Sequence, residues 1–319
     1  MSSGVLTAND LHEVKELLAG EQAKMMIERD VFWPKWDSPC WYFQLLEETN
    51  QLDEVSLDTF KELLMVADRQ FLHEFPVSEE EVPENLNPYT EILCFCFLGS
   101  LMRLSAKLDF DIFAWLPWAK AWINRYQLPD GGYNCDEAAY FGSGKGSIIS
   151  TTVMLEGMLA YVKYNDNYDE FGENIEKAVS YLLKHHIYLN LDGQEIAGVQ
   201  WDKIIFPRFY EFDFSRGLEV VLDFVLQTGK KVRRKNMEKA IELLHEKIAK
   251  GVDHSEKQWL SDEKTISYYI EVPALFEDYA NNPLIMKKLN STAPNPYVGK
   301  RLQAIAEKLE KAIANGQLV

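Results

Sequence analysis

The sequence predicts an all-α chain assembled from helix pairs, and three observations carry that expectation. Gly99, Gly157 and Gly217 recur 58 and 60 residues apart, each inside an apolar stretch. A second, amphipathic pattern follows each of those stretches. Within the patterns, apolar residues step by 3 and 4, the period of a helical face.

The elements follow in order. Thr7 and Asp10 have the spacing of a capping box opening an amphipathic helix. Segments 39–49 and 57–71 form a first pair. Segment 88–108 is apolar nearly all round, and 111–126 carries Trp115, Trp118 and Trp122 on one stripe, which predicts packing between helix layers. In 146–163, Ile148, Thr152, Leu155, Leu159 and Val162 mark one face, and Val153 and Met158 widen it, as suits an inner helix covered on both sides. Segment 171–185 sets Ile175, Val179, Leu182 and Leu183 against Glu173, Glu176, Lys177 and Lys184, as suits an outer one. Segment 214–227 is apolar, and 236–250 is amphipathic through Ala240, Leu243, Leu244 and Ile248. Segments 264–279 and 296–314 are expected to close the chain as a less regular helix pair.

At 47% hydrophobic and 26% charged, the 319 residues can bury a sizeable core and lie outside the disordered class. No linker-like stretch divides them, so a single domain is expected: an amino-terminal helical extension over 1–32, a core over 33–280 and a carboxyl-terminal helix over 281–319. A net charge of −17 argues against nucleic acid held on a broad basic face. The one basic cluster, Lys230, Lys231, Arg233, Arg234 and Lys235, follows Gly229 and reads as a solvated turn. The start lacks the basic and apolar regions of a signal peptide, and Arg103, Glu156, Glu219 and Asp223 interrupt the apolar stretches, so no transmembrane segment is expected. Cys40, Cys94, Cys96 and Cys135 are too few and too irregular for a disulfide framework, which points to a cytoplasmic, reducing setting.

Helix pairs stack into an open solenoid or close into a ring. The aromatic cluster of Trp33, Trp36, Trp41, Tyr42 and Phe43 near the start is unlike the polar cap of an open solenoid, so closure is expected. A ring has a central mouth, lined by inner-helix ends and the loops before them, where a ligand sits.

The loop from Gln127 to Glu137 is the richest such segment. Pro129, Asp130, Gly131 and Gly132 are turn chemistry, whereas Asn134, Cys135, Asp136 and Glu137 are not explained by a turn. Gln127, Gly131 and Tyr133 together resemble the QW motif of squalene and oxidosqualene cyclases, with Tyr in place of Trp. PDGGYNCDE, STTVMLEGMLAY and FPRFYEFDFSRGLE look like the pattern of uncharacterised bacterial proteins of the squalene-cyclase and prenyltransferase-repeat superfamily. The resemblance is firmest from Trp115 to Lys250. It implies an (α/α)6 toroid, a double ring of inner and outer helices, and a central aromatic cavity for an apolar or isoprenoid-like small molecule.

The family's catalytic motifs are not carried over. There is no DxDD, and Asp109-Phe110-Asp111-Ile112, the nearest string, reads as a helix cap. DDxxD, which would hold magnesium and diphosphate, is missing too. Prenyltransferase β subunits bind zinc through Asp, Cys and a later His; here Cys135 is flanked by Asp136 and Glu137, with His185 and His186 some 50 residues on, but the D-x-C spacing is absent. A buried structural cysteine and a zinc ligand are the two readings of Cys135, and the chain is read as having no cofactor unless the second holds.

The other entrance, Phe206 to Gly217, sets Asp213 and Arg216 three apart at a helix start. One reading is an N-cap with a local ion pair. The other is a polar pair in an aromatic cup, with Asp213, Asp136 or Glu137 as acid or base and Arg208 or Arg216 holding a diphosphate or carboxylate. Asp130, Tyr133, Asn134, Cys135, Glu156, Arg208, Tyr210 and Arg216 are the candidates for contacting the ligand. Three functions stay open: an isoprenoid-like binder or enzyme, a carbohydrate-active toroid with two carboxylates about 5 to 10 Å apart, and a noncatalytic scaffold with a filled centre.

Overall fold

A computed structural model describes residues 6–76, 79–81, 84, 91–258, 264–269, 277–281 and 283–319. The chain is mostly helical. Helices α1 (Ala8–Ala19) and α2 (Glu21–Arg29) lead to α3 (Pro39–Glu48) and α4 (Leu57–Gln70). After them come α5 (Phe95–Lys107), the short α6 (Ile112–Trp115) and α7 (Ala119–Arg125), then α8 (Ile148–Tyr164) and α9 (Gly172–Lys184). The last are α10 (Phe214–Thr228), α11 (Glu238–Ala249), α12 (Leu284–Leu289) and α13 (Pro296–Ala314).

Burial separates the helices as the apolar patterns predict. Nine of the ten residues of α3 are buried, and α5, α8 and α10 are buried on most sides. By contrast α4, α9 and α11 each bury one stripe and leave the other face wet, because only one side of each meets the core. The capping box at Thr7 forms: its hydroxyl accepts from the Asp10 N–H while the Asp10 carboxylate accepts from the Thr7 N–H. Lys288 on α12 donates to the same carboxylate at 2.5 Å and ties α12 to α1. Asp111 caps α6 by accepting from the Phe113 N–H, which is the role its sequence position suggests.

Gly99 and Gly157 face each other where α5 crosses α8. A Cβ on Gly99 would come within 2.5 Å of the Val153 carbonyl oxygen, and one on Gly157 within 2.6 Å of the Gly99 carbonyl oxygen. The two backbones touch, and any side chain would push them apart. Gly217 is different, since the added atom would meet the side chains of Ile187 and Phe212. The three glycines therefore do not mark equivalent places: two make one helix crossing, and the third accommodates loop side chains.

Two expectations about elements are corrected. The helix predicted over 111–126 is split at Leu116-Pro117, because proline supplies no N–H to the preceding turn. Trp118 and Trp122 still pack inward, donating to the Asp68 carboxylate and the His73 carbonyl of the α4 side. The helix predicted over 264–279 is instead an antiparallel ribbon, β1 (Lys264–Tyr269) with β2 (Glu277–Asn281), paired from Lys264 with Asn281 to Tyr269 with Glu277. Ile266, Tyr268 and Tyr269 are residues of strand preference, and a helical period fitted to them was too weak a sign. The start of the predicted 88–108 helix, including Pro88, Tyr89 and Thr90, lies outside the described residues. Among the described residues no helix is long and apolar enough to cross a membrane.

Candidate functional site

Five helices, α3, α5, α8, α10 and α13, contribute residues to one cavity of about 1520 Å³. Its lining comes from the later turns of α3, α5 and α8, most of α10 and one face of α13. Eight basic side chains and five carboxylates line it, an excess of three positive charges in a chain whose net charge is −17. Aromatic rings are few there: Tyr164 and Tyr297. This chamber is ionic, where the resemblance implied an aromatic cavity.

Part of its lining is a chain of ion pairs across four helices. Glu47, at the end of α3, accepts from Arg103 Nε at 2.7 Å and Lys107 Nζ at 2.8 Å, both on α5. Arg103 also pairs with Glu156 of α8. Arg216 of α10 grips Glu156 with Nε and Nη2 at 2.8 and 2.7 Å, and its Nη1 donates to the Phe209 and Glu211 carbonyls. Burial alone would raise the Glu156 carboxyl, but Arg216 and Arg103 outweigh it and hold it at about 2.

A second set lies toward α13. Arg208 Nη1 meets Glu219 at 3.1 Å, and Lys308 bridges Glu219 at 3.0 Å and Asp223 at 2.7 Å. Burial is again outweighed at Glu219, by Arg208 and Lys308, and the carboxyl stays at about 2. Arg301, only 11% exposed, is less well served: its Nη2 donates to the Ile205 carbonyl at 2.7 Å, but its nearest carboxylates, Asp213 and Glu48, stand at 3.6 and 3.8 Å, and its Nε has no hydrogen-bond partner among the described residues. Burial, with Arg208 close by, lowers its pKa to about 10 against the pull of Asp213 and Glu48. At the rim, Lys163 and Lys300 are exposed and enter no ion pair among the described residues.

The sequence candidates fall into three places. Glu156, Arg208 and Arg216 line the chamber. Cys135 and Tyr210 line a separate aromatic pocket of about 150 Å³ at the amino-terminal ends of α3 and α5, with Phe32, Trp33, Lys35, Trp41, Gln44, Cys94, Cys96, Phe97 and Ser100. Gln44 and Ser100 sit one helical turn before Glu47 and Arg103, so the pocket stands one turn above the ionic layer.

The remaining candidates hold loops together. Asp130 accepts from the Gly132 and Gly146 N–H groups. Asn134 donates to the Lys145 carbonyl and accepts from the Asp136 N–H, while Asp136 itself is exposed. Glu137 is half-buried, and burial raises its pKa. Tyr133 is buried and donates to the Ile123 carbonyl, and Gln127 joins the Gly131 carbonyl to Asn174 of α9. The QW-like segment thus clasps α7 to α9.

Asp213 does not pair with Arg216 through its side chain. It is fully buried, and its Oδ1 accepts from the Arg216 N–H and the Ser215 hydroxyl while Oδ2 accepts from the Ile205 N–H. That is the N-cap reading, with Arg216 turned away to Glu156. Asp136, Glu137 and Asp213 are accordingly not brought together around either cavity. His185 contacts the Leu189 carbonyl, and among the described residues no group of three or more His, Cys, Asp or Glu side chains is arranged to hold a metal ion.

Sequence reasoning missed Glu47, Glu48, Arg301 and Lys308 of the chamber, and Lys35, Gln44, Cys94 and Cys96 of the pocket. One signal was present. Arg103, Glu156, Glu219 and Asp223 are charges inside nearly apolar helices, where they count against a membrane span and equally mark a buried ionic network. Comparison with known proteins finds no family model, no curated protein and no solved structure that matches this chain.

Proposed function

We propose that the chain is an α/α-toroid-like protein whose inner helices surround a binding chamber for a small polyanion, a diphosphate or a polycarboxylate. The observation that carries this reading is Arg301. A buried guanidinium bonded to the Ile205 carbonyl through Nη2 lacks an acceptor at Nε among the described residues, its carboxylates stand outside hydrogen-bond distance, and Arg208 crowds it with like charge. An anion drawn between Arg301, Arg208 and Lys308 would supply the missing negative charge, and guanidinium groups suit the paired oxygens of phosphate or carboxylate. Rim lysines Lys163 and Lys300 would steer it inward. The isoprenoid-like ligand that the sequence resemblance implies enters as the amphiphilic case, an isoprenyl diphosphate with its head in the chamber.

Thermal unfolding and calorimetry with inorganic diphosphate, citrate, farnesyl diphosphate and farnesol test this. At about 100 times Kd the bound anion should add roughly 2.7 kcal/mol of stability. Arg301→Met should weaken binding by roughly tenfold or more. Farnesol binding as well as farnesyl diphosphate, or no anion binding at all, would overturn the reading.

A further inference from the structure

We infer that Cys135 and Cys96 form a dithiol site that exchanges with a disulfide carrying aromatic or apolar substituents, bound in the pocket walled by Trp41, Phe97 and Tyr210. The pocket is separate from the ionic chamber, and the inference does not rest on the polyanion reading.

The two sulfurs lie 3.2 Å apart although their residues are 39 positions distant in the chain. A disulfide needs about 2.05 Å between sulfurs, so the two thiols stand in contact about 1 Å short of a bond. Cys135 Sγ also accepts from the Cys96 N–H at 3.3 Å and from the Ser150 hydroxyl at 3.2 Å. The first of these donors belongs to the amino-terminal end of α5, whose unpaired N–H groups favour negative charge. Contacts with the Cys94 and Cys96 thiols pull the Cys135 thiol well below its ordinary pKa, and contact with Cys135, together with burial, pushes Cys94 and Cys96 well above theirs. Cys135, whose sulfur accepts from both the Cys96 N–H and the Ser150 hydroxyl, is therefore the attacking sulfur, and Cys96, whose sulfur touches it at 3.2 Å, is the resolving thiol.

The pocket also offers recognition. The Lys35 ammonium lies 4.7 Å from the Trp36 ring centre and 4.8 Å from that of Tyr210, fixing the two stacked rings. Gln44, 2% exposed, lines the same space, and its Oε1 has no hydrogen-bond donor among the described residues. A buried acceptor without a donor is costly, and a ligand N–H or O–H would satisfy it.

In the first step the Cys135 thiolate attacks one sulfur of R–S–S–R′. A Cys135–S–R bond forms, the R–S–S–R′ bond breaks, and R′–S⁻ leaves and takes a proton from water. Cys96, losing its proton to water, then attacks Cys135 Sγ and expels R–S⁻, which is protonated in turn. Two protein thiols are oxidised to one disulfide while the ligand disulfide is reduced to two thiols, a balanced two-electron exchange.

The test uses the reduced full chain and 4,4′-dithiodipyridine, following released thiopyridone and mapping cross-linked peptides by mass spectrometry. Two equivalents should leave in the fast phase, with a Cys96–Cys135 bond in the product. Cys96→Ser should release one equivalent and retain the adduct on Cys135. Cys135→Ser and Cys135→Ala should each slow the fast phase by roughly tenfold or more, with helical circular dichroism verifying the fold. Cys40→Ser should change neither rate nor product. A fast phase that survives in folded Cys135 variants, a bond that maps to Cys94, or equal rates with hydroxyethyl disulfide would overturn the inference.

Discussion

Two neighbouring layers of the molecule, an aromatic pocket and an ionic chamber, solve opposite problems with the same scaffold. In the pocket, rings and thiols pack around Trp41, Cys96 and Cys135, and the polar contacts there are few and short in reach. One turn further on, Glu47, Arg103, Glu156 and Arg216 run across four helices as alternating charges. Apolar contacts in the pocket tolerate a missing partner, since each is small and undirected. The ionic layer does not, because removing one charge leaves its neighbours buried and uncompensated. The lesson is that opposite charges tie α3, α5, α8 and α10 to one another in the ionic layer, whereas rings and thiols fill the space at the starts of α3 and α5.

The largest contrast should appear under acid. Glu156 and Glu219, each held at about 2, are depressed below the ordinary 4.5, so their stabilisation is complete above pH 4.5 and is lost as pH falls toward 2. Each shift corresponds to about 3 kcal/mol. Urea titrations across pH 2 to 5 should show stability falling steeply; a flat profile would break the comparison.

Glu156→Gln should cost about 3 to 5 kcal/mol, because Arg216 and Arg103 lose their shared charge. Denaturant midpoints measure it, and a cost under about 1 kcal/mol would mean that the ionic layer is solvated.

Beside the aromatic pocket the pH sign reverses. Asp30 accepts from the Phe32 and Trp33 N–H groups, yet burial raises its pKa to about 6. Its folded value exceeds the unfolded 3.8, so the stability that it adds is present below about 3.8 and is lost as pH rises to 6. Asp30→Asn should remove that slope and raise stability at pH 7 by up to about 3 kcal/mol.

The smallest effect is expected at Gln44. Gln44→Met removes the acceptor that lacks a donor together with one long bond from Nε2 to the Cys40 carbonyl, at 3.3 Å. The net change should stay within about 1 kcal/mol in thermal melts; a larger loss would show that the amide holds α3 in place.

Much of the helical framework was legible because it depends on local periodicity and caps. The Thr7 box, the Asp111 cap, the broad apolar face of α8 and the single wet face of α9 follow from spacing alone. The ribbon at Lys264–Tyr269 was not, since a short run of strand-forming residues fits two periods. At the site, spacing put Asp213 beside Arg216, while the fold gave Asp213 to backbone N–H groups and Arg216 to a carboxylate 60 residues away.

What the sequence by itself determined is therefore the division into helices buried on most sides and amphipathic helices buried on one, because burial pattern and turn residues act within a few positions of one another. Only the tertiary structure decided which charges meet, which sulfurs touch and where the glycines cross. Arg216 reaches Glu156, Cys135 reaches Cys96 and Gly157 reaches Gly99 across 60, 39 and 58 residues. Coulomb attraction, sulfur contact and backbone approach act through space over a few ångströms, and nothing in local spacing records which distant residue will be there.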